Sequence, residues 1–203
     1  MNSMVSTWTL RGRRLPAITG DYGAFIKELA PALKAAGMLC TAALSKGYGG
    51  ANVPADVLPL FDFVNIMAYD ATGPWNPGAP GPHSSLEFAR ENALWWVQRG
   101  LPADKAVLGV PFYGYGFGEA GKRHDYPYRE VVQMWPGAEN RDESGNTVYY
   151  NGLPTIRAKC ALVKEKALGG IMIWSLDNDA PGEKSLLSAI HHALAEPPPP
   201  QSP

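Results

Sequence analysis

The chain has 203 residues, 45% hydrophobic and 18% charged, an ordinary composition for one globular domain with a sizeable core. Its net charge of −1 offers no basic field to attract nucleic acid or an acidic membrane surface. No apolar run approaches the roughly 18 residues of a membrane span, and Met1–Arg14 lacks the apolar core of a signal peptide.

The N-terminal segment, 1–19, has no clear periodicity and reads as a loop or an altered start. Tyr22–Ala36 carries a helical stripe of Phe25, Ile26, Leu29, Leu33 and Ala36, ended by Gly37. Met38–Leu44 is a short apolar run and predicts a buried strand; Ala55–Leu60 predicts a brief helix after Pro54. Phe63–Tyr69 is the next buried strand, Leu86–Arg99 a helix stopped by Gly100, and Ala106–Pro111 a third strand. An insert over Tyr113 to Leu153 predicts a short helix at Tyr128–Trp135 and a hairpin centred on Ser144–Gly145–Asn146. Thr155–Leu168 is helical, Gly170–Trp174 is a fourth strand, and Glu183–Leu194 closes the pattern as a helix. Apolar strands alternating with helices predict an α/β fold whose parallel sheet is covered by helices. The tail from 195 to 203 is proline-rich and reads either as a frayed end or as a semi-rigid linker.

Polar groups appear abruptly where the strands end. Asn65–Trp75 reads N-I-M-A-Y-D-A-T-G-P-W, Gly109–Tyr115 reads G-V-P-F-Y-G-Y, and Gly169–Asp179 reads G-G-I-M-I-W-S-L-D-N-D. In β/α barrels the C-terminal strand ends carry the functional face. Each residue also has a plainer reading. Asp70 at a strand end can cap the next helix, and Trp174 taken alone reads as core. Cys40 and Cys160 lie in apolar stretches and read as two buried thiols rather than a disulfide. Gly116–Gly121 matches G-x-G-x-x-G, but Lys122–Pro127 is no helix start, so it reads as a rim loop rather than a dinucleotide site. Asp177–Asn178–Asp179 lacks the remaining ligands of a calcium loop, and the four histidines show no metal spacing. No metal or cofactor is implied.

Taken in order, Met67–Ala68–Tyr69–Asp70, Gly73–Pro74–Trp75, Gly109–Gly114 and Gly169–Trp174 resemble the sixth, seventh and eighth barrel strands of glycoside hydrolase family 18, the chitinase family. The resemblance covers 20–194 and implies a partial (β/α)8 TIM barrel, strands five to eight, from the fourth helix to the eighth. It implies chitin or N-acetylglucosamine oligosaccharides as partners, with secretion as the family habit. Tyr69 would hydrogen-bond the acetamido carbonyl of the sugar being cleaved. Asp70 would bind a hydroxyl and help hold the sugar distorted. Trp174 would floor that sugar, Trp75 would stack beyond the scissile bond, and Met67 and Tyr113 would line the cleft.

The family's D-x-x-D-x-D-x-E motif, whose final Glu is the general acid, is not found. It should fall within or before residues 1–20, which hold no Asp or Glu. The family relies on substrate-assisted hydrolysis, and losing general acid catalysis typically costs about 10²–10⁴-fold in rate. Asp70, Asp177 and Asp179 are the candidate substitute acids, though the family geometry sets none over the scissile oxygen. Three expectations follow: weak or absent hydrolysis by the isolated chain, chitin binding without turnover, or an inactive remnant. A half barrel of four strands would also expose apolar edges near Met38–Leu44 and Gly170–Trp174, so a homodimer or a half supplied in trans is expected.

Overall fold

A computed structural model describes residues 5–9, 19–47 and 49–196. The proline-rich tail from Pro197 onward, and residues 1–4 and 10–18 of the N-terminal segment, lie outside the described residues. Five strands form the main sheet: β1 (Val5–Thr9), β2 (Leu39–Leu44), β3 (Phe63–Ile66), β4 (Ala106–Pro111) and β9 (Gly170–Trp174), in the order β1-β2-β3-β4-β9. The first three pairings are parallel, with Val5 opposite Leu39, Thr41 opposite Phe63, and Val64 opposite Ala106. Helices α1 (Thr19–Ala35), α2 (Leu86–Gln98), α4 (Leu153–Glu165) and α5 (Leu186–Ala195) alternate with these strands along the chain. The insert holds β5 (Tyr113–Gly116), β6 (Tyr126–Pro127), α3 (Tyr128–Met134), β7 (Glu143–Ser144) and β8 (Val148–Tyr149). Strands β5 to β8 form a second sheet of order β6-β5-β8-β7, with antiparallel pairings that include the expected hairpin.

The strand Val5–Thr9 is additional to the four strands expected from the sequence, which reads 1–19 as a loop or an altered start. Its residues, Val-Ser-Thr-Trp-Thr, are strand formers, but the run is short and polar and shows no buried apolar pattern to read. Its pairing also changes the expected edges. Strand β2 is flanked by β1 and β3, so Met38–Leu44 is not an open edge.

The chain divides into two compact units. The first comprises Met1–Met67, Glu91–Leu108 and Ala167–Gly170. It buries Ile26, Leu33, Ala42, Leu44, Val57, Leu58, Val64 and Ile66. On α1 the buried face is set by Ile26, Ala30 and Leu33, at helical spacing, while Phe25 from the expected stripe is exposed. The second unit comprises Ala68–Arg90, Gly109–Lys166 and Ile171–Pro203. Its core joins Val110 and Phe112 to Tyr128, Val131, Tyr150, Ile156, Cys160, Leu186 and Ile190. Cys40 and Cys160 are both buried free thiols. No helix among the described residues is long and apolar enough to cross a membrane.

Candidate functional site

The site is built within the second unit. Beyond β3 the chain continues through Ala68 to Asp70, which has φ 63°. This left-handed conformation is uncommon for a residue with a side chain, and Asp tolerates it better than most. It accompanies a carboxylate on which other segments converge. The Tyr113 hydroxyl donates to Asp70 Oδ1 at 2.5 Å, and the Tyr115 hydroxyl donates to the same oxygen at 3.1 Å.

Both tyrosines come from β5 for a local reason. Alternate residues of a strand face the same side, so Tyr113 and Tyr115 point together while Gly114 and Gly116 face the other way. The glycines are needed there. A Cβ on Gly114 would stand 2.3 Å from the Tyr149 carbonyl oxygen, and one on Gly116 2.6 Å from that of Ala120. The sequence Y-G-Y-G thus encodes two donors on one face and close backbone packing on the other. Tyr115 escapes the sequence reading because Pro111 ends the strand there; the chain resumes as β5 two residues later. The alternation of tyrosine with glycine is the signal that could have found it.

His83 is the second residue that the sequence reading misses. It is buried, lies in the Pro/Gly-rich loop after Trp75, and contacts the rings of Tyr113 and Tyr115 at centroid distances of 5.1 and 4.8 Å. Its Nε2 is 3.2 Å from the Tyr113 carbonyl oxygen, and its Nδ1 receives the Asp70 backbone N–H at 3.3 Å. A carbonyl only accepts and an amide N–H only donates, so these partners assign the neutral Nε2–H tautomer. Burial lowers the His83 pKa and agrees with that assignment, against the opposing pull of Asp70. Burial alone would raise the Asp70 carboxyl, but the hydrogen bonds it accepts, those from Tyr113 and Tyr115 among them, outweigh it and hold it below its ordinary value. Burial, and then the Asp70 charge, push both tyrosines upward, so they remain hydroxyl donors. The hydrogen bonds of both tyrosines fall on Oδ1.

Aromatic rings extend the cluster. Trp75 stands edge-on to Tyr115 at 4.9 Å, and Tyr69 edge-on to Tyr113 at 6.3 Å. Tyr69 is buried, whereas Trp75 is 55% exposed. The Trp75 ring folds back over Gly73, where a Cβ would lie 2.4 Å from ring carbons. Gly73 therefore permits this Trp75 orientation.

The structure thus gathers Tyr69, Asp70, Trp75 and Tyr113 into one group and adds Tyr115 and His83. Trp174 ends β9 with its side chain 45% exposed, and its carbonyl receives the Phe112 N–H at 2.9 Å. Met67 belongs to the first unit, is buried, and gives its N–H to the Leu44 carbonyl. Asp70 is not a helix cap, the alternative its position left open. The Ser85 hydroxyl accepts the Phe88 N–H at the start of α2, and Ser185 caps α5, where the Asp179 carboxylate also accepts the N–H groups of Leu186 and Leu187 at 2.8 and 3.1 Å. Gly118–Lys122, within the glycine-rich stretch, forms a 3-10 turn rather than an α-helix start. Among the described residues no three His, Cys, Asp or Glu side chains gather as a metal site.

A parallel sheet alternating with helices, with an acid and aromatic rings gathered beyond a strand end, is the arrangement of the TIM-barrel class, and solved chitinases superpose on it. The GH18 chitinase ChiB from the chitin utilization locus of Flavobacterium johnsoniae is 40% identical, with a TM-score of 0.82 over 93% of this chain and 59% of its own. A chitinase from Bacteroides thetaiotaomicron is 27% identical, with a TM-score of 0.76 over 87% of this chain and 58% of its own. The family model for glycosyl hydrolases family 18 matches residues 8–179, and the chain belongs to that family. Probable chitinase 10 of Drosophila melanogaster is 31% identical over 211 residues, covering 81% of this chain and 9% of that protein. The chain spans less than two thirds of the length of these relatives.

Proposed function

We propose that this chain binds β-1,4-linked N-acetylglucosamine oligosaccharides at the Asp70 rim of the second unit. The observation that carries this reading is the convergence of Tyr113 and Tyr115 on Asp70 Oδ1, with Trp75 packed against Tyr115 and half exposed. A pyranose offers one apolar face and a fringe of hydroxyls. An exposed indole suits the face, and an oriented carboxylate suits a hydroxyl. The tyrosines occupy Oδ1 and leave Oδ2 for the sugar. In this reading Tyr69 addresses the acetamido carbonyl, Trp174 floors the ring, Trp75 holds the next sugar, and Tyr113 lines the cleft. Family membership and chitinase relatives support the substrate class.

Hydrolysis is the second part of the proposal, and we place it below binding. Asp70 sits below its ordinary carboxyl value and is ionised at neutral pH, so it accepts protons poorly and donates none. It suits orienting and distorting the sugar rather than protonating a leaving oxygen. Asp179 is spent on the start of α5. Residues 1–20 contain no carboxylate side chain to supply the acid. The isolated chain is therefore expected to bind chito-oligosaccharides with weak or no turnover. Calorimetric titration with chitotetraose, beside a fluorogenic chitobioside assay, tests both parts. Binding lost in Trp174→Ala with no turnover supports the binder. Turnover abolished by Asp70→Ala would establish a hydrolase instead, and absence of any binding would sink the sugar reading.

A further inference from the structure

Behind Asp70 lies a buried polar cluster that no step above uses. Lys159 on α4 is fully buried, and its Nζ reaches Ser84 O at 2.8 Å, Ser84 Oγ at 2.7 Å and Asn151 Oδ1 at 2.6 Å. Each partner is an acceptor here. Ser84 Oγ gives its one proton to the Ala68 carbonyl at 2.7 Å, so it accepts from Lys159. The Asn151 amide NH2 faces the carbonyls of Ser84 and Tyr150, at 2.9 and 3.1 Å, so its oxygen faces Lys159. Three acceptors require the three N–H groups of an ammonium. Burial disfavours that charge and lowers the Lys159 pKa to about 7, against a smaller opposing pull from Asp142. A charged lysine is costly to bury without such partners.

The cluster bears on the site through residues 83 and 84. Ser84 holds the Ala68 carbonyl, the His83 carbonyl receives the Ala71 N–H at 3.0 Å, and His83 Nδ1 receives the Asp70 N–H. Three backbone groups across residues 68–71 therefore hang on this two-residue segment, on both sides of the left-handed turn at Asp70. Lys159 and Asn151, from α4 and the residues just before it, grip that segment from the side of the core.

We propose that Lys159 is a positioning residue for the Asp70 centre: through Ser84 it fixes the 83–84 segment, and through that segment the backbone turn that aims the carboxylate. The inference rests on the proposed sugar site for its function, but its structural content is separate.

Hydrogen–deuterium exchange of the full chain, with chitotetraose titration beside it, tests the proposal. Lys159→Met keeps the length and removes the donors. Its exchange over residues 68–72 is expected to rise about tenfold while α4 and β2 keep parental rates, and its chitotetraose Kd to rise about tenfold. Ser84→Ala should act in the same direction, and Ser84→Thr, which keeps the hydroxyl, should restore parental behaviour. Parental exchange over 68–72 in Lys159→Met and Ser84→Ala would overturn the proposal. So would acceleration spread equally over α4, which marks a merely structural role. If Lys159→Met does not fold, the contrast between Ser84→Ala and Ser84→Thr decides by the same criteria. If the parent chain binds no chitotetraose, the sugar reading fails and the exchange contrast alone decides the positioning.

Discussion

Two acidic strand-end segments of the second unit invite comparison. Asp70 follows β3, and Asp177 and Asp179 follow β9. The Asp70 carboxylate is met by tyrosines more than 40 residues away in sequence. The Asp179 carboxylate is met by near neighbours: Ala180 N–H, the Ser185 hydroxyl, and the N–H groups of Leu186 and Leu187. One acid closes a tertiary cluster and the other organises its own loop. An acid at a strand end is therefore not by itself a site; what separates the two is the origin of the donors.

The largest expected effect falls on the loop-organising acid. Asp179→Ala removes an acceptor for two otherwise unpaired N–H groups of α5 and for the Ser185 hydroxyl. Cap losses and hydrogen bonds to a charged acceptor together suggest about 2–3 kcal/mol of destabilisation. Thermal denaturation should show the loss, while the remaining folded protein keeps its chitotetraose affinity. A variant that loses affinity and keeps its Tm would reverse the contrast.

Tyr113→Phe comes next and sharpens the other half. It removes the shorter of the two hydroxyl bonds to Asp70, at a cost of about 1.5–2 kcal/mol at pH 7. The pH dependence has a definite sign. The folded Asp70 value lies below the unfolded one, so its contribution is present above the unfolded value, about 3.9, and is lost as pH falls through the folded value. Tyr113→Phe raises the folded value toward the unfolded one. The gap between parent and variant in denaturant titrations should therefore be widest near pH 7 and narrow as pH falls through the folded Asp70 value.

The sequence is most legible where an apolar run has clear punctuation at its ends. Ala106–Pro111 and Gly170–Trp174 are read to the residue because continuous apolar runs bounded by Gly or Pro leave few alternatives. Strand β1 is not, since its partner is more than 30 residues away and its own residues carry no apolar run. The candidate site divides in the same way. Tyr69, Asp70, Trp75 and Tyr113 lie in strand-end signatures and can be picked out in advance. His83 cannot, because it acts through a loop of prolines and glycines without periodicity, on partners 13 and 30 residues distant. Lys159 is likewise hidden, as one cation on a helix that otherwise reads as apolar on its inner face.

Trp75→Ala is expected to have a smaller effect than either acid-side variant. The side chain is 55% exposed, so stability should change by less than about 0.5 kcal/mol. Loss of an aromatic face for the sugar should cost about 1 kcal/mol of chitotetraose affinity, read by calorimetry. Equal affinity in the variant would remove Trp75 from the proposed binding surface while leaving the Asp70 cluster intact.

Asp177→Ala is the smallest and most discriminating case. Asp177 is exposed, and its carboxylate accepts from the Ser175 hydroxyl two residues away, a local contact open to water. Arg129 bonds its backbone carbonyl rather than its side chain, and that contact survives the substitution. Exposed polar contacts of this kind contribute within about 0.5 kcal/mol. Stability and chitotetraose affinity should therefore both stay at parental values. If Asp177→Ala instead weakened binding or abolished a trace of turnover, Asp177 would be a functional acid working from an exposed loop. Convergence of distant donors would then no longer be the property that separates the site acid from its neighbours.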